Sequence, residues 1–242
     1  QMASIPYKRV ILKFSGEALA GEKQVNFDPD VIRQIAGEIK SAADLGVQMG
    51  IVFGGGNIIR GSSGVGKSLD RIKADYMGML ATVINALAMQ DALEKLGLRV
   101  HVFSAIQMIE VAELMIIRNA RKYLDQGEIV IFSAGTGQPF FSTDSGAALR
   151  AVEVQAEAII KATKVDGVYD KDPEKFSDAQ FYDRLDYQTA IEKRLKFMDL
   201  AAITICQDNN LPIIVYNMKT PGNLRKVLTG EQIGTLITRS QL

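Results

Sequence analysis
The chain has 242 residues, 47% of them hydrophobic, with 28 Lys plus Arg balanced by 28 Asp plus Glu. That length accommodates one large α/β domain or two small ones, and the composition excludes disordered, collagen-like and coiled-coil chains. A formal net charge of zero leaves no field to hold a nucleic-acid duplex or an anionic membrane. A single cysteine, Cys206, and a single histidine, His101, exclude an internal disulfide and any zinc site built from several Cys or His ligands.

In chain order, residues 1–6 read as a cloning remnant and flexible N-terminus: Gln1 precedes Met2, and the basic, apolar and small-residue regions of a signal peptide are missing. Residues 8–14 (KRVILKF) are a short apolar run suited to a strand buried on both faces. Asp28 is placed to cap a helix with Pro29 at its first position, Ile32, Ile35, Ala36 and Ile39 form one face, and Gly46 closes it. A second strand is expected at 49–53, then a long helix from about Asp70 to Leu96 that Gly97 stops. Its uncharged stretch, 76–90, holds Thr82 and Asn85 and is too short for about 30 Å of hydrocarbon, so the reading is a cytosolic protein.

Further strands are expected at 99–104, 128–133, 157–162 and 212–216, and helices around 112–125, 144–155, 187–193, 199–209 and 222–228. Residues 171–187, dense in Asp, Lys and Tyr, read as a surface excursion. Alternating β and α segments without a repeat or linker predict one domain, 7–242, built on a doubly wound, mostly parallel sheet.

Ligands of such sheets bind beyond the carboxyl ends of the strands, so the residues just past each strand are informative. After the first comes Lys13-Phe14-Ser15-Gly16-Glu17, after the second Gly54-Gly55-Gly56-Asn57, then Gly135-Thr136-Gly137-Gln138-Pro139 and Thr163-Lys164-Val165-Asp166-Gly167. Glycines let backbone N–H groups approach phosphate oxygens, although any one such cluster is equally a tight turn. The string Gly61-Ser62-Ser63-Gly64-Val65-Gly66-Lys67-Ser68 matches G-x-x-x-x-G-K-[ST], but it does not start at a strand end and no apolar strand ending in Asp accompanies it. It reads as a flexible loop with Lys67 facing solvent.

These clusters, in this order, resemble the amino-acid kinase family from about Tyr7 to Ile237. The strings are KRVILKFSGEAL (8–19), GGGNIIRG (54–61), DYMGMLATVINALAMQ (75–90), FSAGTGQPFFSTDS (132–145), KATKVDGVYDKDP (161–173) and FMDLAA (197–202). DYMGMLAT and GTGQPFFSTD are similar to the members that act on a nucleoside monophosphate. The resemblance implies a three-layer αβα sandwich and an ATP- and Mg²⁺-dependent transfer of the γ-phosphoryl group to UMP, giving UDP and ADP in pyrimidine nucleotide biosynthesis. It also implies a homo-oligomer, a hexamer as in the family, with GTP or UTP as effectors. A carboxylate or carbamate kinase and a non-catalytic nucleotide sensor stay open as alternatives.

The same resemblance implies residue roles. Lys13 bridges donor and acceptor phosphates, with Phe14, Ser15 and Gly16 beside ATP; Gly56 and Arg60 serve ATP phosphates; Thr163, Tyr169 and Asp172 hold the adenosine. Gly55, Asp75, Thr136, Gly137, Gln138, Pro139, Phe140, Phe141, Ser142 and Thr143 wrap UMP, with Asp75 on the ribose hydroxyls and one Phe beside the ring. Asp144 and Asp199, with Lys13 and Arg60, form the catalytic set, the acids orienting the lysine or standing near Mg²⁺; simple helix capping is their alternative. Mg²⁺ rides on the ATP phosphates with no direct protein ligand assigned. The GTP-linked segment falls on Gly21, Glu22, Lys23, Gln24, Val25 and Asn26, whose sequence departs from the family's glycine-rich turn, so weak or absent GTP activation is expected. Residues 106–120 are unusually apolar, consistent with a subunit contact or an altered regulatory surface, and His101 and Cys206 read as core residues.

Overall fold
In the computed structural model, residues 6–21, 26–59 and 69–240 are described. Glu22 to Val25, Arg60 and the Gly61–Ser68 string lie outside them. The strands are β1 (Arg9–Phe14), β2 (Gln48–Phe53), β3 (Val100–Ser104), β4 (Glu113–Leu114), β5 (Ile129–Ser133), β6 (Ala158–Thr163), β7 (Val168–Tyr169), β8 (Phe181–Tyr182), β9 (Arg184–Asp186), β10 (Ile213–Asn217) and β11 (Thr235–Thr238). The helices are α1 (Pro29–Ala43), α2 (Arg71–Glu94), α3 (Ile117–Asp125), α4 (Thr143–Glu153), α5 (Tyr187–Glu192), α6 (Leu200–Asp208) and α7 (Asn223–Leu228), and a 3₁₀ turn covers Gly16–Ala20.

One sheet runs in the order β4-β3-β5-β2-β1-β6-β10-β11-β9, and β7 pairs with β8 in a separate hairpin that brackets much of the 171–187 excursion. All pairs of the large sheet are parallel except β10 with β11. Each strand predicted from an apolar run is present. In β1, positions Val10 to Phe14 are buried, because alternate side chains serve opposite layers. Val10, Leu12 and Phe14 meet Ile35 and Ile39 of α1, Met89 and Leu93 of α2, and Leu228 of α7. Ile11 belongs to the other layer, with Leu124 of α3, Ala147 and Ala151 of α4, Ala190 of α5 and Ile203 of α6. The result is helix, sheet, helix.

Helix ends follow local chemistry. Asp28 accepts from Asp30 N–H and Pro29 needs no donor, which starts α1; Asp70 accepts from Lys73 N–H and starts α2. Asp186 caps α5 through Thr189 N–H. No helix among the described residues is long and apolar enough to cross a membrane.

From β1 the chain first moves to β2 and the strands beyond it, then returns to the opposite side of β1 with β6 and β10. The crevice where those paths diverge lies at the carboxyl ends of β1 and β6, the usual ligand position in a doubly wound sheet.

Candidate active site
Lys13 on β1 is 5% exposed, an expensive place for an ammonium group without a partner. Its neighbour across the parallel ladder is Lys161 of β6. Both point into the α4 layer, where Asp144, in the first turn of α4, stands between them: Lys13 Nζ lies 2.8 Å from Oδ1 and Lys161 Nζ 2.8 Å from Oδ2. The Lys161 contact is an aligned hydrogen bond, whereas Oδ1 accepts no aligned one and holds Lys13 by charge. Burial pushes the Asp144 carboxyl up, but the two ammonium groups outweigh it and hold the pKa at about 2. For Lys161 burial and the charge of Lys13 prevail over Asp144 and Asp199 and lower its pKa. Two cations thus share the Asp144 carboxylate in a tight space, with the charge of Asp199 felt by Lys161 as well.

Asp144 is not the cap of its helix. Ser142 takes that position, its Oγ accepting from the N–H groups of Asp144 and Ser145 at 3.0 and 3.2 Å. Asp199 does cap α6, accepting from Ala202 N–H at 2.9 Å. Its carboxylate also receives the hydroxyls of Ser142 and of Ser145, the latter at 3.0 Å, which ties the starts of α4 and α6 together. The four catalytic residues expected from the sequence therefore include three that converge here, and Arg60 lies outside the described residues.

The glycine turn after β2 is packed against the end of β1. Gly54 N–H donates to Phe14 C=O at 2.9 Å, and a Cβ on Gly16 would stand 2.5 Å from Gly56 N and 2.6 Å from Gly54 O. Only glycine permits that approach. On the far side of the turn, a cavity of about 460 Å³ is walled by Gly55 and Gly56, by Asp75, Met79 and Thr82 of α2, and by the loop after β5. Thr136, Gln138, Phe141, Ser142 and Thr143 contribute to that loop wall. Gly137, Pro139 and Phe140 belong to the loop without lining the cavity. Phe140 is 66% exposed, with the Arg71 guanidinium 5.4 Å from its ring centroid. Its N–H donates to Asp75 Oδ2 at 2.7 Å, while Arg71 Nε donates to both oxygens of Asp75 at 2.8 and 2.9 Å. Asp75 thereby fastens the loop to α2 as well as facing the cavity.

A second cavity, about 610 Å³, opens at the ends of β1, β6 and β10; Phe14, Gly21, Lys164, Tyr216 and Lys219 are among its walls. Thr163 ends β6 and its hydroxyl meets the carbonyls of Val165 and Tyr216. Tyr169 packs edge-on against Phe181 at 5.4 Å, and Asp172 accepts from Glu174 N–H and pairs with Lys175 at 3.3 Å. These three line neither cavity. Asn26, at the edge of the expected effector segment, gives its carbonyl to Asn57 Nδ2 at 2.7 Å.

His101 is not a core residue: it is half-buried, stacked on Tyr123 at 3.5 Å, with Glu113 at 2.8 Å from Nδ1 and Glu128 at 2.6 Å from Nε2. Cys206 is buried, and its thiol is pushed up to about 12 by burial and by the charges of Asp144 and Asp199. Neither is placed to act on the other. Lys161 is the site residue that sequence reading passed over; a lysine inside an apolar strand was the visible sign.

Residues 8–217 match the amino acid kinase family. The chain is 53% identical over 236 residues to the uridylate kinase of Xanthomonas oryzae pv. oryzae, covering 98% of both chains. Its structure superposes on the UMP kinase of Bacillus anthracis with a TM-score of 0.94 at 41% identity, covering 98% of each. The UMP kinase of Ureaplasma parvum gives 0.89 at 37% identity, over 96% of this chain and 99% of that one. With a match across most of its length, and with glycine turns and buried lysines at the strand ends where a doubly wound sheet binds ligands, this chain belongs to the amino acid kinase family.

Proposed function
We propose that this chain transfers the γ-phosphoryl group of ATP to UMP, giving ADP and UDP. The observation that carries the reading is the approach of the cavity of about 460 Å³ to the Lys13, Asp144, Lys161 cluster, with Thr143 on the cavity wall and Asp144 next in the chain. An acceptor phosphate lying against the amides of Gly55 and Gly56 would point its oxygens toward the lysines.

Phosphoryl transfer needs positioning and neutralisation more than covalent help, because negative charge spreads over the oxygens of the moving group. Lys13 supplies the nearest fixed cation, and Asp144 fixes where that cation sits. No general base is required, since a phosphate monoester is largely a dianion near neutral pH. The donor nucleotide occupies the side of the crevice formed by β1, β6 and β10, where Phe14, Lys164 and Lys219 stand at the cavity wall. Thr163 at the end of β6, Tyr169 on β7 and Asp172 in the excursion that follows serve its adenosine end.

The donors fit a magnesium ion carried by the nucleotide rather than by a protein cage. Asp144 is engaged by two lysines and Asp199 by an amide and two hydroxyls, and no cluster of three or more His, Cys, Asp or Glu among the described residues is arranged around one point. When bound, the ion offsets phosphate charge; Asp144 and Asp199 would meet its water shell.

The exposed side of α2 supports self-association. Ile72, Tyr76, Leu80 and Ile84 recur every four residues and are each 41–47% exposed, and Ile109, Val111, Leu114 and Ile116 add further apolar surface. A homo-oligomer, a hexamer as in the family, and GTP or UTP as effectors, with weak or absent activation by GTP, belong to the same proposal. A coupled ADP-release assay with UMP, CMP, dTMP, acetylglutamate, aspartate and carbamate tests the reaction. Turnover with UMP well above the others is expected, and turnover with a carboxylate or carbamate alone would overturn it.

A further inference from the structure
Three polar residues of α2, Asp75, Thr82 and Asn85, are spaced seven and three positions apart, which keeps them on one side of the helix. That side faces the cavity walls. Thr82 and Asn85 are 2% and 0% exposed, so their polar atoms must find partners inside the protein.

Asn85 finds them in the glycine turn. Its Nδ2 donates to Gly54 C=O at 2.6 Å and to Asn57 Oδ1 at 2.8 Å, and its Oδ1 accepts from Asn57 Nδ2 at 2.9 Å. The two amides form a closed pair, and the Gly54 and Asn26 carbonyls fix the sense of each, because both need a donor. Thr82 finds its partners at the other wall. Its Oγ1 accepts from Ala134 N–H at 2.8 Å and donates to Met79 C=O at 2.6 Å. Ala134 has φ of 60°, a left-handed conformation that costs a residue with a Cβ and that begins the loop ending at Phe140. One rigid helix thus grips the first wall through Asn85 and the entry of the second through Thr82.

We propose that Thr82 and Asn85 are positioning residues of the acceptor site, setting the distance between the glycine turn and the loop after β5 so that both reach one phosphate monoester. The inference rests on the assignment of the cavity to UMP. Neither residue needs to touch the reacting atoms; each acts through the backbone it holds.

Thr82→Val removes the hydroxyl at nearly constant volume and strands Ala134 N–H, while Thr82→Ser keeps the hydroxyl. Asn57→Ala opens the amide pair from the turn side, where the chain is partly exposed and folding is least at risk. Leu93→Val, deep in α2 and away from the cavity, serves as the control for plain destabilisation. Steady-state kinetics and melting temperature are measured for all four and for the unaltered protein. Thr82→Val and Asn57→Ala are expected to raise KM for UMP about tenfold, the size of a lost buried hydrogen bond, with KM for ATP changed less than about threefold. Thr82→Ser should stay within about threefold of the unaltered protein, and Leu93→Val should lower the melting temperature without moving either KM. KM for UMP unchanged in folded Thr82→Val and Asn57→Ala, or equal shifts for both substrates that track melting temperature, overturns the inference. Absence of UMP turnover in the unaltered protein overturns the activity assignment instead.

Discussion

Lys13 and Lys161 are register partners on adjacent parallel strands and divide one carboxylate, Asp144, between them, one ammonium on each oxygen. The register makes this arrangement possible: paired positions of β1 and β6 point into the same layer, so two long side chains reach the start of α4 together.

Lys13→Ala is expected to lower kcat by roughly 10² to 10³ with a smaller effect on UMP binding, because it removes a fixed cation from the developing charge. Lys67→Ala should leave kcat within about threefold, since its string does not begin at a strand end, β2 having closed at Phe53. Rate assays with circular dichroism on both variants check this; an essential Lys67 and a dispensable Lys13 would reverse the assignment.

Acid stability depends on Asp144. Its folded pKa lies below the unfolded value, so the stability it contributes is present above the ordinary 3.8 and is lost as pH falls toward about 2. That shift is worth roughly 2 kcal/mol. Lys161→Met removes one of the two ammonium groups and brings the folded pKa of Asp144 back toward 3.8, so the stability lost between about pH 4 and pH 2 should become smaller. Denaturant unfolding from pH 7 down to pH 2 reads the difference; superimposable acid limbs would contradict the shared-carboxylate account.

Asp75→Asn keeps shape but gives up the carboxylate that receives Arg71 Nε and Phe140 N–H. KM for UMP should rise on the order of tenfold while KM for ATP changes little. Arg71→Ala, which leaves Asp75 on Phe140 N–H, should cost less. Equal losses for both substrates would place Asp75 outside the acceptor site.

Leu80→Lys introduces a charge into the middle of the apolar stripe on α2. Sedimentation velocity should show the unaltered protein as an oligomer and the variant shifted to smaller species. An unaltered protein that sediments as a monomer at micromolar concentration would remove the stripe from any subunit contact.

Much of this architecture was legible in the sequence because strands buried on both faces leave uninterrupted apolar runs, as at 8–14 and 128–133, and because Asp28-Pro29 and Asp70 mark helix starts. The two-residue strands β4, β7 and β8 and the short strand β9 were not, since they carry no periodicity long enough to read. β11 escaped for a related reason: in Thr235–Thr238 polar and apolar residues mix after a glycine, which reads equally as a turn. In the candidate site, glycine spacing pointed to the crevice at the carboxyl ends of the strands, but the meeting of Lys161 with Asp144 depends on strand register, which no local pattern encodes. The phenylalanine pair shows the same limit, with Phe141 on the cavity and Phe140 turned outward under Arg71.

The sheet order also bears on synthesis. β11, made after every other described strand, lies between β10 and β9 rather than at an edge. While the chain emerges from the ribosome, β9 must therefore wait with its ladder unpaired, and β10 with one side open, until the segment around 235–238 has left the exit tunnel. That half of the sheet therefore closes only when the 235–238 segment slots between β10 and β9, whatever the order in which the rest of the sheet forms.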